Sequence, residues 1–182
     1  SYIIGITTAA GGQGNNDAVL IKFNSSGTVQ WQVSAGTASA DSARCLRFDT
    51  SGNILYGTTT TGGIVTMLKF STSGTLTSQF KYTVTNAANG LSFQVDSSDN
   101  IYAVIKEYNA GGYFITVKFN SSGTVQWQKR ITNAADNSNI TASSCLDSSN
   151  NFYWAIWEGN TSVCLLVKYN SSGVRQSITR IA

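Results

Sequence analysis

Two recurring phrases hold the side chains whose types and spacing could do chemistry. Asp-x-Ser-x-Asn occurs at Asp49 to Asn53, Asp96 to Asn100 and Asp147 to Asn151, and oxygen ligands at alternate positions are what Ca²⁺ uses. Each phrase offers few carboxylates and no Glu follows at its far end, so an Asx-type turn is the expected outcome and no metal site is assigned. Lys22, Lys69, Lys118 and Lys168 recur at one position of the second phrase. An ammonium repeated four times does not suit a single active site; a lysine stem lying along a neighbouring aromatic does. General acid-base catalysis normally draws on His or paired carboxylates, and the chain has no His and only nine acidic residues. Zinc loses its commonest nitrogen ligand for the same reason. No catalytic residue, metal or cofactor is therefore expected.

The spacing of these phrases sets the architecture that must position them. Lys-aromatic-(Asn/Ser)-x-Ser-Gly begins at residues 22, 69, 118 and 168, steps of 47, 49 and 50 residues, and Lys22 to Gln32 is identical to Lys118 to Gln128. A fixed period of this length marks a repeat architecture in which each unit buries its faces against neighbours. Turn residues divide the third period into four strands: A, Gly90 to Val95; B, Ile101 to Lys106; C, Tyr113 to Phe119; D, Thr124 to Ile131. B and C are nearly unbroken apolar runs, the mark of a sheet covered on both sides. D alternates, as in Val29-Gln30-Trp31-Gln32-Val33, which predicts an outer strand with one wet face. In Asn-Ser-Ser-Gly between C and D, Asn starts a turn and Gly takes the left-handed position.

Composition agrees. Charged residues are 12% of the chain, Pro is absent, and Ser, Thr, Asn and Gly separate short runs of β-branched and aromatic residues, an all-β profile. The net charge of +3 comes from scattered basic residues, with Lys129 and Arg130 the adjacent pair; no basic stripe suits a phosphate backbone, so no nucleic-acid partner is expected. No apolar run approaches the ~20 residues of a membrane helix, no membrane insertion is expected, and no signal peptide follows Ser1. Cys45, Cys145 and Cys164 are expected to be buried free thiols. The sequons at Asn24, Asn120 and Asn170 fall in the C-to-D turn, where turn chemistry already explains Asn.

The order Asp-Ala-Val-Leu-Ile-Lys-Phe-Asn-Ser-Ser-Gly-Thr-Val-Gln-Trp-Gln, a variable loop, then Arg-Phe-Asp-Thr-Ser-Gly-Asn-Ile-Leu-Tyr-Gly resembles the SBBP family of β-propeller repeats, over essentially the whole chain. The resemblance implies a propeller and names no ligand. The Asn- and Ser-rich phrasing also resembles repeats in virion and tail-fibre proteins of marine bacteriophages. Trp31 and Trp127, four residues after Gly27 and Gly123, are similar to tryptophan-docking repeats of quinoproteins. There the Trp packs between sheets; the adjacent cysteine pair that contacts the quinone is absent here, as is a sialidase-type Asp box.

The expected fold is an all-β propeller of four-stranded antiparallel blades, one domain over 1–182, with repeats at about 1–42, 43–89, 90–139 and 140–182. Tyr2 to Ile6 aligns with strand B, so the first repeat lacks strand A, and the ring is expected to be completed by further blades of a longer chain or by other protein subunits. In a meander the A-to-B and C-to-D turns share one end, and the variable B-to-C and D-to-A connections share the other. Recognition belongs with the variable end, where Asp41, Glu107, Tyr108, Asp136, Trp157 and Glu158 combine aromatic platforms with hydrogen-bonding groups, as surface glycans would require. The expected function is a non-enzymatic structural or recognition module of a virion or cell surface. A free carbohydrate-binding propeller and a non-catalytic part of a larger exported enzyme are the alternatives.

Overall fold

Turn chemistry cuts the chain into strands at the expected places. A computed structural model describes residues 1–7, 16–37, 39–107, 113–132, 143–158 and 163–181. The first sheet holds β1 (Tyr2–Thr7), β2 (Asp17–Phe23) and β3 (Val29–Ala35). The second holds β4 (Asp41–Phe48), β5 (Ile54–Thr60), β6 (Ile64–Phe70) and β7 (Leu76–Thr83). The third holds β8 (Ala88–Val95), β9 (Ile101–Glu107), β10 (Tyr113–Phe119) and β11 (Val125–Thr132). The fourth holds β12 (Ser143–Leu146), β13 (Phe152–Glu158), β14 (Val163–Tyr169) and β15 (Arg175–Ile181). Each sheet is an antiparallel meander in chain order, and no helix occurs among the described residues. The fold is all-β: antiparallel blades of four strands, the first lacking its strand A. Asp41 opens β4, so the second sheet starts just inside the stretch 1–42 expected for the first repeat.

The Asp phrases are Asx turns. Asp49 Oδ1 accepts hydrogen bonds from the N–H of Ser51 and Asn53 at 3.0 and 2.7 Å; Asp96 and Asp147 do the same for the equivalent residues. The residue before the closing Asn is left-handed, at φ 78° for Gly52, 60° for Asp99 and 58° for Asn150, a conformation that Asn and Asp tolerate better than other side chains. The other repeated turn is built as expected: Asn24 Oδ1 accepts from Ser26 N and Thr28 N at 3.0 and 2.8 Å, and Gly27 has φ 82°.

Strand D departs from strict alternation at one point in every sheet. A bulge separates the pairs Lys22↔Trp31 and Phe23↔Val29, and recurs at Lys69/Phe70, Lys118/Phe119 and Lys168/Tyr169. Cross-strand partners share a face, so the extra residue places Trp31 on the face of Lys22 and turns Val29 to the face of Phe23. Val29 is thereby 51% exposed, against the expectation that it points inward with Trp31.

The core lies between sheets. One apolar cluster joins sheets one and two (Leu20, Tyr56, Leu68), one joins two and three (Met67, Leu91, Phe93, Val117), and one joins three and four (Tyr102, Phe114, Trp154, Val167). Among the described residues no such cluster joins sheets four and one. Strands β5 and β9 are buried throughout, as their apolar runs predicted. Polar side chains cross the same interfaces in pairs. Arg47 Nε donates to Gln94 Oε1 at 3.0 Å, Gln94 donates to the Ser144 carbonyl, and Trp154 Nε1 donates to Thr116 Oγ1 at 2.9 Å, so little buried polarity is wasted.

The turn carboxylates carry a pH dependence. Hydrogen bonds from the Asn151 side chain and backbone, with Tyr153 and Ser149 adding to them, outweigh desolvation and hold the Asp147 carboxyl down at about 2. At Asp49 desolvation pushes upward, but hydrogen bonds from Lys69 and Asn53 and the Lys69 charge at 2.6 Å leave it below the ordinary carboxylate range. A depressed folded pKa stabilises above the unfolded value of about 3.9 and stops doing so as pH falls through the folded value. Carboxyl NMR should therefore place the Asp147 midpoint near 2 in the folded chain. Its contribution to stability in urea titrations is expected to be full at neutral pH and to fade below about pH 4; a midpoint at the unfolded value would contradict the turn geometry.

Candidate functional site

The variable end of the strands gathers the expected site residues into separate sheets. Asp41 opens β4 in the second sheet, Glu107 closes β9 in the third, and Trp157 and Glu158 close β13 in the fourth. Tyr108 and Asp136 lie outside the described residues, and of Trp157 and Glu158 only the backbone is described. Asp41 and Glu107, expected as hydrogen-bonding groups for a ligand, are 2% and 1% exposed. The reason is that each ties down a neighbouring segment. Asp41 Oδ2 accepts from the Thr37 N–H at 2.7 Å and from Thr37 Oγ1 at 3.0 Å. Glu107 Oε1 accepts from Asn86 N and Nδ2 at 2.9 and 3.0 Å, and its Oε2 takes Arg130 Nη2 at 2.7 Å.

What these acids support is open to solvent. The Arg130 side chain, 47% exposed, lies on the Tyr113 ring with its guanidinium carbon 3.6 Å from the centroid. It borders a groove of about 370 Å³ between the second and third sheets, lined also by Tyr82, Thr85, Gln128 and Lys129. The sequence signal for this site was the adjacent basic pair Lys129-Arg130. A larger cleft of about 490 Å³ between the first and second sheets is lined by Asp17, Thr37, Asp41, Thr58, Gln79 and Lys81. Asp17 Oδ1 has no hydrogen-bond partner among the described residues. It lies against Gly36, where a side chain on that residue would overlap it.

At the turn end the lysines and aromatics have a common task. Trp31 in the first sheet lies on the turn glycine of the second, its ring 2.8 Å from where a Cβ on Gly74 would stand, and its Nε1 donates to the Thr72 carbonyl at 3.2 Å. Lys22 Nζ reaches the same carbonyl at 2.7 Å. Trp127 repeats this between sheets three and four: its ring is 2.6 Å from a Cβ on Gly173, and its Nε1 and Lys118 Nζ point at the Ser171 carbonyl, 3.0 and 3.4 Å away. Between sheets two and three Phe80 takes the place of Trp, 2.4 Å from a Cβ on Gly123, while Lys69 pairs with Asp49. Lys22, Lys118 and Lys168 also lie over Tyr2, Tyr102 and Tyr153 at 5.7, 4.7 and 5.0 Å, the aromatic contact expected of them, although the ring comes from strand B and is not adjacent in sequence. Sequence reasoning placed the tryptophans between sheets but missed the glycine and carbonyl they address, because a backbone acceptor leaves no residue signature.

The chain has the blade stack of a β-propeller. A crystal structure of a protein of unknown function from Bacteroides caccae matches it with a TM-score of 0.60 at 12% identity, over 90% of this chain. The chain spans about half, 53%, of the length of that structure, and at such identity the likeness is one of fold alone. No protein-family model and no curated protein matches the chain.

The cysteines are free, and they differ in exposure. Cys45 is half-buried against the core and desolvation pushes its thiol up to about 12, whereas Cys145 is exposed, contrary to the burial expected of all three. Maleimide at neutral pH is expected to modify Cys145 in the folded chain and to spare Cys45.

The joint glycines allow a sharper comparison. Gly123→Ala brings a Cβ against the Phe80 ring at φ +85°, whereas Gly27→Ala has similar backbone strain at φ +82° with open space above it. Both lose about 1–2 kcal/mol to the left-handed backbone, and Gly123→Ala loses about 1–3 kcal/mol more to overpacking. Urea titrations should rank Gly123→Ala well below Gly27→Ala; equal losses would mean that the ring does not sit on the glycine.

Proposed function

We propose that this chain is a non-enzymatic structural or recognition module, a set of propeller blades that serves in a virion or cell-surface assembly. Its partners in this reading are other protein subunits or further blades, with host-surface glycans at the variable end. The observation that carries the reading is where the acidic groups go. Of the seven acidic side chains described, Asp41, Asp49, Asp96, Asp99, Asp147 and Glu107 accept hydrogen bonds that hold turns, loops or neighbouring sheets together. The seventh, Asp17, is 2% exposed and packs against Gly36, its Oδ1 without a hydrogen-bond partner among the described residues. Acids consumed in this way are poorly placed for proton transfer, which needs a carboxyl within reach of a substrate. The constant turn end and the variable loop end divide labour as a scaffold and a contact surface do. The resemblance to SBBP repeats and to phage tail-fibre repeats supports the same reading.

A second reading, a carbohydrate-binding propeller, draws on the open clefts. Arg130 stacked on Tyr113, and Lys81 with Gln79 and Thr58, offer hydrogen-bond donors beside apolar walls, the mixture that sugar sites use.

Three assays separate these. Antibody against it should detect the protein in purified virions or on intact cells, and hydrolase and dehydrogenase substrate panels should show no turnover. Broad, strong binding on a glycan array would move the assignment to a lectin. Turnover by this segment alone would overturn the non-enzymatic reading.

A further inference from the structure

The joint that binds sheet to sheet is used three times in this chain, and half of a fourth is left open. In the first sheet the turn Asn24 to Gly27 has the form of those at Gly74, Gly123 and Gly173, with Gly27 at φ +82°. The other three glycines each carry an aromatic ring from the preceding sheet, while among the described residues nothing lies within 4 Å of a Cβ built on Gly27. The Ser25 carbonyl stands where Thr72 and Ser171 accept the indole N–H. The strand beside that turn is uncovered too. Val19, Ile21 and Phe23 are partly exposed, whereas their counterparts Ile115, Val117 and Phe119 are 8%, 0% and 1% exposed under the second sheet.

We propose that this face of the first sheet is a docking seat for a further sheet of the same repeat type, one that carries an indole on its outer strand opposite its own Lys. The inference rests on the reading of the chain as an assembly module and names the kind of partner such a module takes. The two tryptophan joints define what fits: a ring against the left-handed glycine, an indole N–H for the carbonyl, and apolar side chains across Val19, Ile21 and Phe23. A left-handed glycine without a Cβ, next to an unshared carbonyl and a short apolar strip, is the shape and polarity of an indole with its N–H.

The fourth sheet does not supply this partner, whether from the same chain or from a second copy. Its cross-strand row Cys145, Tyr153, Lys168, Ser177 corresponds to Gln94, Tyr102, Lys118, Trp127 in the third sheet. Lysine and tyrosine are in place, Lys168 lying 5.0 Å from the Tyr153 centroid, but serine stands where the indole should be. The second sheet, which has Ser78 in that row, compensates with Phe80 two residues on; the fourth has Thr179 there. The occupant is therefore a repeat sheet other than these four.

Supplying the missing ring on the chain itself tests the seat. Ser177 is exposed on the outer strand, outside the apolar clusters, so Ser177→Trp leaves the folded core untouched and makes the chain its own probe. Buried tryptophans are frequent affinity anchors, and the variant is expected to associate head to tail about tenfold more tightly than the unmodified chain in sedimentation velocity. If the ring closes within one chain instead, the gain is read as a concentration-independent rise of the urea midpoint. Adding Gly27→Asn, which keeps the left-handed turn that Asn150 already adopts at φ 58° and places a side chain in the seat, should abolish either gain. A gain that survives Gly27→Asn is nonspecific adhesion and overturns the proposal, as does the absence of any gain. Neither result bears on turnover or particle association, which decide the functional reading separately.

Discussion

A small sheet that is apolar on both faces cannot stay in water alone, and the coverage of one sheet by the next is the constraint on which everything else here depends. Burial of apolar surface contributes about 25 cal/mol per Å², and the residues between sheets, Trp154, Tyr56, Phe93 and Phe114 among them, are large and almost wholly withdrawn from solvent. Hydrogen bonds within a sheet fix its register. They do not join it to its neighbour. That task falls to the apolar clusters, to side-chain bridges such as Ser92 to Ser144 at 2.7 Å and Arg47 to Gln94, and to the ring on the turn glycine.

Turn chemistry and sheet packing are coupled at that glycine. The turn needs a left-handed residue, and Gly supplies it without strain; the bare Cα then leaves a flat spot that an indole or phenyl ring can occupy. The bulge in strand D completes the device, because it turns the ring-bearing residue toward the next sheet and sends the residue before the bulge outward. The Asp turns at the same end are tied between sheets as well, since the Asp99 carboxylate takes the N–H and the hydroxyl of Thr50 at 2.8 and 3.0 Å. One end of the stack is thus locked by repeated contacts, and sequence variation is left to the other.

Most of the fold was legible in the sequence, because a period near 48 residues, two turn phrases and the switch from continuous to alternating hydrophobicity are all local signals. The boundaries of β9, β10 and β11 fall within one residue of expectation, and β8 begins two residues earlier than Gly90. The bulge was not legible: Val29 reads as an inward partner of Trp31, and only the register shows otherwise. The site was harder still. Asp41 and Glu107 look like free loop acids in a chain of letters, and their burial depends on Thr37, Asn86 and Arg130, which come from other segments. Arg130 shows the limit most clearly, since its place on Tyr113 is set by a cross-strand neighbour.

A double-mutant cycle between Trp127 and Gly173 tests the central claim most directly, because it isolates the ring-on-glycine contact from strain within the turn. Stability would be measured by urea denaturation for Trp127→Ala, Gly173→Ala and the pair. If the indole occupies the space above the glycine, Gly173→Ala is much less costly once the ring is gone, with a coupling of about 0.5–3 kcal/mol. Strict additivity, with the alanine equally costly in both backgrounds, would show that the sheets are not held together in this way.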